Sequence, residues 1–563
     1  MRIVRLIGAF LLAASSIGCA QAHGVAAIAI SDDTQIFGDY LSAHFAADHH
    51  DFAEAARFYD AALDQDPNNP DLLMPAFSYT ASAGDMVGAA KLAERVVAAV
   101  PDNRAARLVL AVTALKRHDY KDARAQIAKS AQGPFTSFTV ALIDAWAAAG
   151  QDDAKTAAAD LKTLHAQQAA DGLAYFNEAM VAELLGDKTT ADADYQAALK
   201  ASGPTPRVID AYGRFLERNG RTEEARALYM KLSSDGGFAP IIGPALARIA
   251  SGTKPEPLVA SAEGGAAEAL FGIGASLNDD TSRDVSIFYL RLALYLQPKL
   301  DLATILLADR FESLEKYDDA IEAYRGVAHD SPYYRMAAVE VAVDLARLDK
   351  TDEAIADLKA LTIEFPQDIE TWTALGDTYR QAQNFPDAVK AYDSAIKASG
   401  TPDKKEWPLF YARAIAEQQT DNWPAAEADL KQALTLSPDQ PQVLNYLGYS
   451  WVDKGRNIKE ALGMLEKARK LAPQDGYIID SVGWAYYRLG RYKEAVNTLE
   501  DAIQLVPGDP TINDHLGDAY WRIGRRLDAK FQWNHALAFG PEAAEKSKIE
   551  KKLQAGLNRD DRS

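Results

Sequence analysis

The side chains of this 563-residue chain best suited to chemistry lie near its C-terminal end, and the chemistry they suit is recognition. Asn445, Tyr449, Tyr477, Asp480, Trp484, Tyr487, Arg488, Asp514, Asp518, Trp521 and Arg522 are aromatic, charged or amide residues. They recur in register: Tyr487-Arg488 and Trp521-Arg522 are 34 residues apart, as are Asp480 and Asp514. Trp, Tyr and Arg supply most of the binding energy at protein interfaces. Bond-making chemistry finds no comparable set. No phosphate-binding glycine loop, His-Glu-x-x-His, Cys pair or Gly-x-Ser-x-Gly occurs. One cysteine and nine histidines exclude thiol catalysis and thiolate metal sites in the mature chain. His44, Asp48, His49, His50 and Asp51 form the one local cluster with metal-ligand chemistry. His44 and Asp48 share a helical face there, but His49 and His50 fall at a turn, and a solvated turn is the preferred reading. Gly272-Ile273-Gly274 is a weak glycine echo on a helix, better explained by close packing. No catalytic residue, metal or cofactor is assigned.

The elements that position the recognition residues follow from a 34-residue period repeated about fourteen times from Ile36 onward. Gly483-Trp484-Ala485-Tyr486, then Ala495, Leu499, Ala502 and Pro507, are matched 34 residues later by Gly517-Asp518-Ala519-Tyr520, Ala529, Trp533, Ala536 and Pro541. Early Gly and aromatic, central Ala and closing Pro at this period form the tetratricopeptide pattern. Each unit is two helices of about a dozen residues, roughly 20 Å long. Gly at position eight and Ala at positions twenty and twenty-seven sit at close helix crossings, and the large residues at eleven and twenty-four fill the space between helices. Such a unit cannot bury its apolar face alone, so the units stack. The fold class is therefore all-α, a superhelical solenoid of helix-turn-helix repeats, in one continuous array or two arms. Positions two, five, nine, twelve and thirteen of the first helix line the concave face, and these positions hold the eleven residues named above. About half of them are expected to pack between adjacent first helices.

The same ruler divides the chain. Residues 1–22 lie outside the fold, residues 36–240 hold about six repeats, and residues 267–543 hold about eight, the first of them near Ala267 with Gly274, Ala293 and Pro298. Between the halves, residues 241–266 contain Ser251-Gly252-Thr253-Lys254-Pro255 and Glu263-Gly264-Gly265, a density of breakers that predicts a loop. Whether it is a hinge between two arms or a surface loop in one superhelix stays open. Residues 544–563 read as a capping helix and polar tail.

A net charge of −20 without a basic stripe excludes nucleic acid and disfavours direct binding to anionic lipid. Met1-Arg2-Ile3-Val4-Arg5 followed by the apolar run Leu6–Ile17 has the proportions of a secretory signal and is too short for a permanent span. Two processing sites are open. Ala20-Gln21-Ala22 fits ordinary cleavage, whereas Ser16-Ile17-Gly18-Cys19 resembles a bacterial lipobox, and Cys19, the one cysteine in the chain, is the favoured lipidation site.

Leu444-Asn445-Tyr446-Leu447-Gly448-Tyr449-Ser450, the run Asp480 to Arg491, and His515-Leu516-Gly517-Asp518-Ala519-Tyr520-Trp521 resemble the C-terminal half of the long tetratricopeptide outer-membrane lipoproteins of Gram-negative bacteria. One pseudomonad member of that family is the adaptor of a periplasmic carboxyl-terminal processing protease that degrades peptidoglycan cross-link hydrolases. The resemblance implies a non-enzymatic scaffold on the periplasmic side of the envelope. Its partners would be envelope proteins or peptide segments, a protease or peptidoglycan hydrolase among them, and the membrane would be reached only through a lipid anchor. A scaffold for envelope polysaccharide or outer-membrane assembly is the alternative, and a cryptic periplasmic hydrolase is the alternative of another class.

Overall fold

In the second half of each of the first five repeats of the N-terminal array, one aspartate starts the helix. Asp51, Asp85, Asp119, Asp153 and Asp187 each accept a hydrogen bond from the backbone N–H three residues on. This satisfies one of the donors a helix leaves unpaired at its start. The residue before each cap turns the chain back through the left-handed region: His50, Gly84, His118, Asp152 and Gly186 all have positive φ. The period is thus written twice, once in apolar residues and once in the turn. The chain beyond keeps the left-handed turn at Glu315, Asp349, Gln383, Asp421, Gly455, Gly490 and Gly524. There the residue at the cap position is Lys, Asn or Arg, without a side-chain cap.

The computed structural model describes residues 32–131, 133–166, 171–234 and 240–557. Among them are 30 α-helices and no strands, stacked as helix pairs in the tetratricopeptide manner. The signal segment, Cys19 and the end of the polar tail lie outside the described residues. The small residues sit where the period requires. Ala55, Ala89, Ala123, Ala157, Ala191 and Ala225 are wholly buried. A Cβ on Gly483 would fall 2.6 Å from Leu499, on Gly517 2.5 Å from Trp533, and on Gly376 2.5 Å from Tyr392. Interiors packed to crystal density leave no room for it.

The chain forms two compact units. Of the described residues, one holds those up to Leu228 with Lys254–Pro298; the other holds those of Tyr229–Thr253 with those from Lys299 on. This departs from the boundary expected at 241–266. That stretch contains a helix, Ile242–Ser251, and the start of a second, Ala262–Ser276. Glu263-Gly264-Gly265 is the first turn of this second helix, capped by Ser261, whose Oγ accepts from the Gly264 N–H at 3.1 Å. Gly265 is there for space: a Cβ on it would lie 2.1 Å from the Trp146 ring. The repeat near Ala267 therefore packs with the first unit, against helices Pro70–Ala83, Arg104–Lys116, Pro134–Ala149 and Asp171–Leu184.

Candidate functional site

In the first unit the groove-lining positions are already engaged by the chain itself. Helices Ala262–Ser276 and Arg283–Leu296 form a hairpin that packs mainly on first helices. Trp146, at position nine, is wholly buried against Gly265, and its Nε1 donates to Asn177 Oδ1 at 2.9 Å. Arg207, at position two, donates through Nε to Glu268 Oε2 at 3.0 Å, and Glu268 is buried. Arg291 Nε donates to the Ser82 carbonyl and Lys116 Nζ to the Leu296 carbonyl. Tyr120 donates to Glu263 at 2.6 Å, and burial, then that carboxylate, pushes its phenol up to about 12. Beside the hairpin remains a cavity of about 450 Å³, lined largely by Phe52, Phe77, Tyr79, Leu108, Phe288 and Tyr289.

The histidine cluster near the first turn disperses. His44 pairs with Asp48 at 3.4 Å, His49 Nδ1 lies 2.8 Å from the Phe45 carbonyl, and His50 faces Asp284 at 3.3 Å. Among the described residues no group of three or more His, Cys, Asp and Glu side chains is arranged to hold a metal ion. Gly274 packs on Leu290, and its carbonyl accepts from Ser286 Oγ at 2.8 Å.

In the second unit the eleven C-terminal residues separate into three sets. Asp480, Trp484, Tyr487, Asp514 and Asp518 are buried. Asn445, Tyr449, Arg488, Trp521 and Arg522 are half-buried, and Tyr477 is exposed. The buried set forms a ladder between neighbouring first helices. The Trp484 ring stacks on Tyr487 at 4.7 Å and on His515 at 4.0 Å. His515 Nδ1 meets Asp480 at 3.0 Å, and Arg522 Nε donates to the Tyr487 hydroxyl at 3.2 Å. Burial works against the imidazolium of His515, but Asp480, Asp514 and Asp518 together outweigh it and raise its pKa. Tyr477 lies at the rim, in a depression with Pro473, Gln474 and Val506. Tyr449 is half-buried; burial, then Asp480, Asp453 and Glu545, raises its phenol.

The C-terminal helix Ala543–Ala555 covers the end of this wall. Lys552 Nζ donates to Asp514 at 2.7 Å and to Asp518 at 2.8 Å, and Trp521 Nε1 donates to the Leu557 carbonyl at 3.1 Å. Asp518 also accepts from Trp533 Nε1, and burial, then Asp514, pushes its carboxyl up to about 6. His515 falls at repeat position six, outside the groove-lining set, whereas Lys552 stands 34 residues after Asp518 and the period points to it.

Further toward the N-terminal end of this unit the wall is acidic. Tyr324 donates to Asp309 at 2.7 Å and Glu312 at 2.9 Å, and Arg347 bridges Glu312 and Asp344. Burial, then Glu312 and Glu370, pushes Glu340 up to about 7. At position eleven of a later repeat, where an aromatic is usual, Glu417 is buried beside the pair Arg413–Asp429, and burial with Asp429 pushes it up to about 7. These contacts hold the side chains of the wall in fixed orientations.

Family models described as tetratricopeptide repeat match residues 81–131, 305–369, 373–421 and 411–476, and one described as TPR repeat matches 483–524. A TPR repeat-containing protein of Pseudomonas aeruginosa is 35% identical over 91 residues, 16% of this chain and 15% of that one. The cytochrome c-type biogenesis protein CycH of Rhizobium meliloti is 35% identical over 113 residues, 20% of this chain and 28% of that one. The chain thus spans less than a third of either relative. Among solved structures, the APC/C hetero-tetramer Cut9-Hcn1 is 17% identical with a TM-score of 0.38, covering 95% of this chain and 99% of that one. The chain is an all-α tetratricopeptide-repeat solenoid, a fold of protein–protein interaction scaffolds.

Proposed function

We propose that this protein is a non-enzymatic adaptor of the bacterial cell envelope, anchored through Cys19, that presents a processing protease or peptidoglycan hydrolase to its partners. The observation that carries the binding half is the ladder Tyr487–Trp484–His515–Asp480 with Arg522. It sets the wall of the second array before any partner arrives, so a partner does not have to order it on binding. Asn445, Tyr449, Tyr477 and Arg488 remain accessible along that wall. The envelope half rests on the N-terminal signal pattern, the position of Cys19 and the sequence resemblance in residues 444–521.

Two measurements test it. Capture from a membrane fraction, followed by mass spectrometry, should recover an envelope protease or hydrolase with the wild type. The combined Tyr477→Ala, Arg488→Ala and Asn445→Ala variant should lose it at unchanged melting temperature. Undiminished capture by that variant removes the second array as the binding surface. Labelling with an alkyne fatty acid should mark the wild type but not Cys19→Ser; an unlabelled wild type with a mature start at His23 replaces the anchor with a soluble periplasmic form.

A further inference from the structure

We propose that Asp514, Asp518 and Trp521 form a socket for a cationic residue carried on an amphipathic helix, and that the chain's own helix Ala543–Ala555 fills this socket as a stand-in for a partner helix. The inference rests on the adaptor reading only in taking the displacing helix to belong to a partner protein.

The occupant shows what the socket accepts. Ile549, Lys552, Leu553 and Gly556 recur at helical spacing and form the inward stripe. Ile549 is buried, Leu553 packs on the same apolar cluster, and Lys552 spans the two carboxylates. Gly556 closes over Trp521, and the Arg526 guanidinium lies over the same ring at 3.8 Å. A cation is required because Asp514 and Asp518 are both buried, 8% and 3% exposed. An unpaired carboxylate there would lose its hydration without compensation.

The hold of this helix is weak by comparison with its neighbours. Of residues 543–551 only Ile549 is buried, and no side chain caps the helix start at Glu542. Helix Arg526–Ala538, next to it, buries Ala529, Trp533 and Ala536. Few buried apolar contacts and an exposed backbone place an element at the low end of local stability. Nor is the socket saturated: Asp514 Oδ1 is buried without a hydrogen-bond partner. A partner helix with arginine at the Lys552 place could reach that oxygen with its planar fork, which is built to take both oxygens of one carboxylate, whereas the Lys552 ammonium meets only Oδ2 of each aspartate. The preferred partner is therefore a helix with the pattern apolar-x-x-Arg/Lys-apolar.

The test uses the full chain and a synthetic peptide of residues 541–557 as the probe. The variant Ile549→Asp with Lys552→Ser vacates the socket in cis. It should bind the peptide roughly tenfold more tightly than the wild type, because only molecules with the cis helix released can bind. Adding Asp514→Asn and Asp518→Asn should abolish that gain, and a peptide with arginine at the Lys552 place should bind more tightly than the lysine one. Amide exchange on the wild type needs no variant. Helix Ala543–Ala555 should exchange about a hundredfold faster than Arg526–Ala538. Equal protection of the two helices, or equal peptide affinity of variant and wild type, makes the helix a permanent cap and overturns the proposal. Peptide binding without capture of any envelope protein leaves the socket standing and removes the adaptor reading; capture without peptide binding does the reverse.

Discussion

The two arrays solve the same packing problem with different turns and put their grooves to different use. In the first, each second helix from Asp51 to Asp187 starts on an aspartate cap, and the groove positions Trp146 and Arg207 are spent on an internal hairpin. In the second, the cap position holds Lys, Asn or Arg, and the wall runs from acidic side chains near Glu340 to the stacked ladder at Trp484. The difference teaches that the repeat dictates how helices cross but not whether the groove is available. A concave position is open to a partner only where nothing in the chain reaches it first, or where what reaches it can be displaced.

The largest effect separating the arrays should come from Trp146→Ala. This ring is wholly buried, donates to Asn177 and supports Gly265 of the hairpin, so truncation should cost about 3–5 kcal/mol. Proteolysis should then cut first within residues 134–298, with the second array still protected, because repeats contact only their neighbours. Simultaneous loss of both arrays would show them to be one cooperative unit.

Trp484→Ala comes next. With 7% of its surface exposed and stacked on two rings, Trp484 should cost about 3 kcal/mol when truncated, read as a lower melting temperature of the second array. A near-neutral result would return Trp484 to the open groove.

The turn chemistry gives a smaller contrast. Asp119→Ala removes a side-chain cap and should cost about 1 kcal/mol, whereas Lys350→Ala, at the same place in a repeat of the second array, should cost nearly nothing. Equal losses in chemical denaturation would mean that the caps do not distinguish the arrays.

The smallest effect is one of pH. Glu417 is raised from its ordinary value to about 7, so the folded state holds the proton more tightly than the unfolded chain. Its contribution is intact below about pH 4.5 and is lost as pH rises to 7 and above. Glu417→Gln should therefore be neutral at pH 4 and stabilise the second array at pH 8 by about 1 kcal/mol, after allowance for solvent screening. A variant with the same melting difference at both pH values would place the carboxyl in an ordinary solvated setting.

The all-α repeat architecture was legible in the residues alone, because a 34-residue recurrence of Gly, Ala and aromatic side chains has one stable packing and each unit meets only its neighbours. Gly483 against Leu499 and Gly517 against Trp533 are contacts that spacing predicts. What the period could not decide is where distant stretches return. The breakers at Glu263-Gly264-Gly265 read as a loop because a glycine that frees the backbone and a glycine that admits a tryptophan ring look alike in one dimension. Only the tertiary structure places that turn on Trp146 and gives the 267 repeat to the first unit. For the same reason Asp514 and Asp518 read as open groove residues. Their burial depends on Lys552, which follows the 34-residue step yet contributes a charge to the socket. Short-range order follows from local periodicity, whereas burial is a property of everything that arrives at a surface, and that sum exists only in the folded chain.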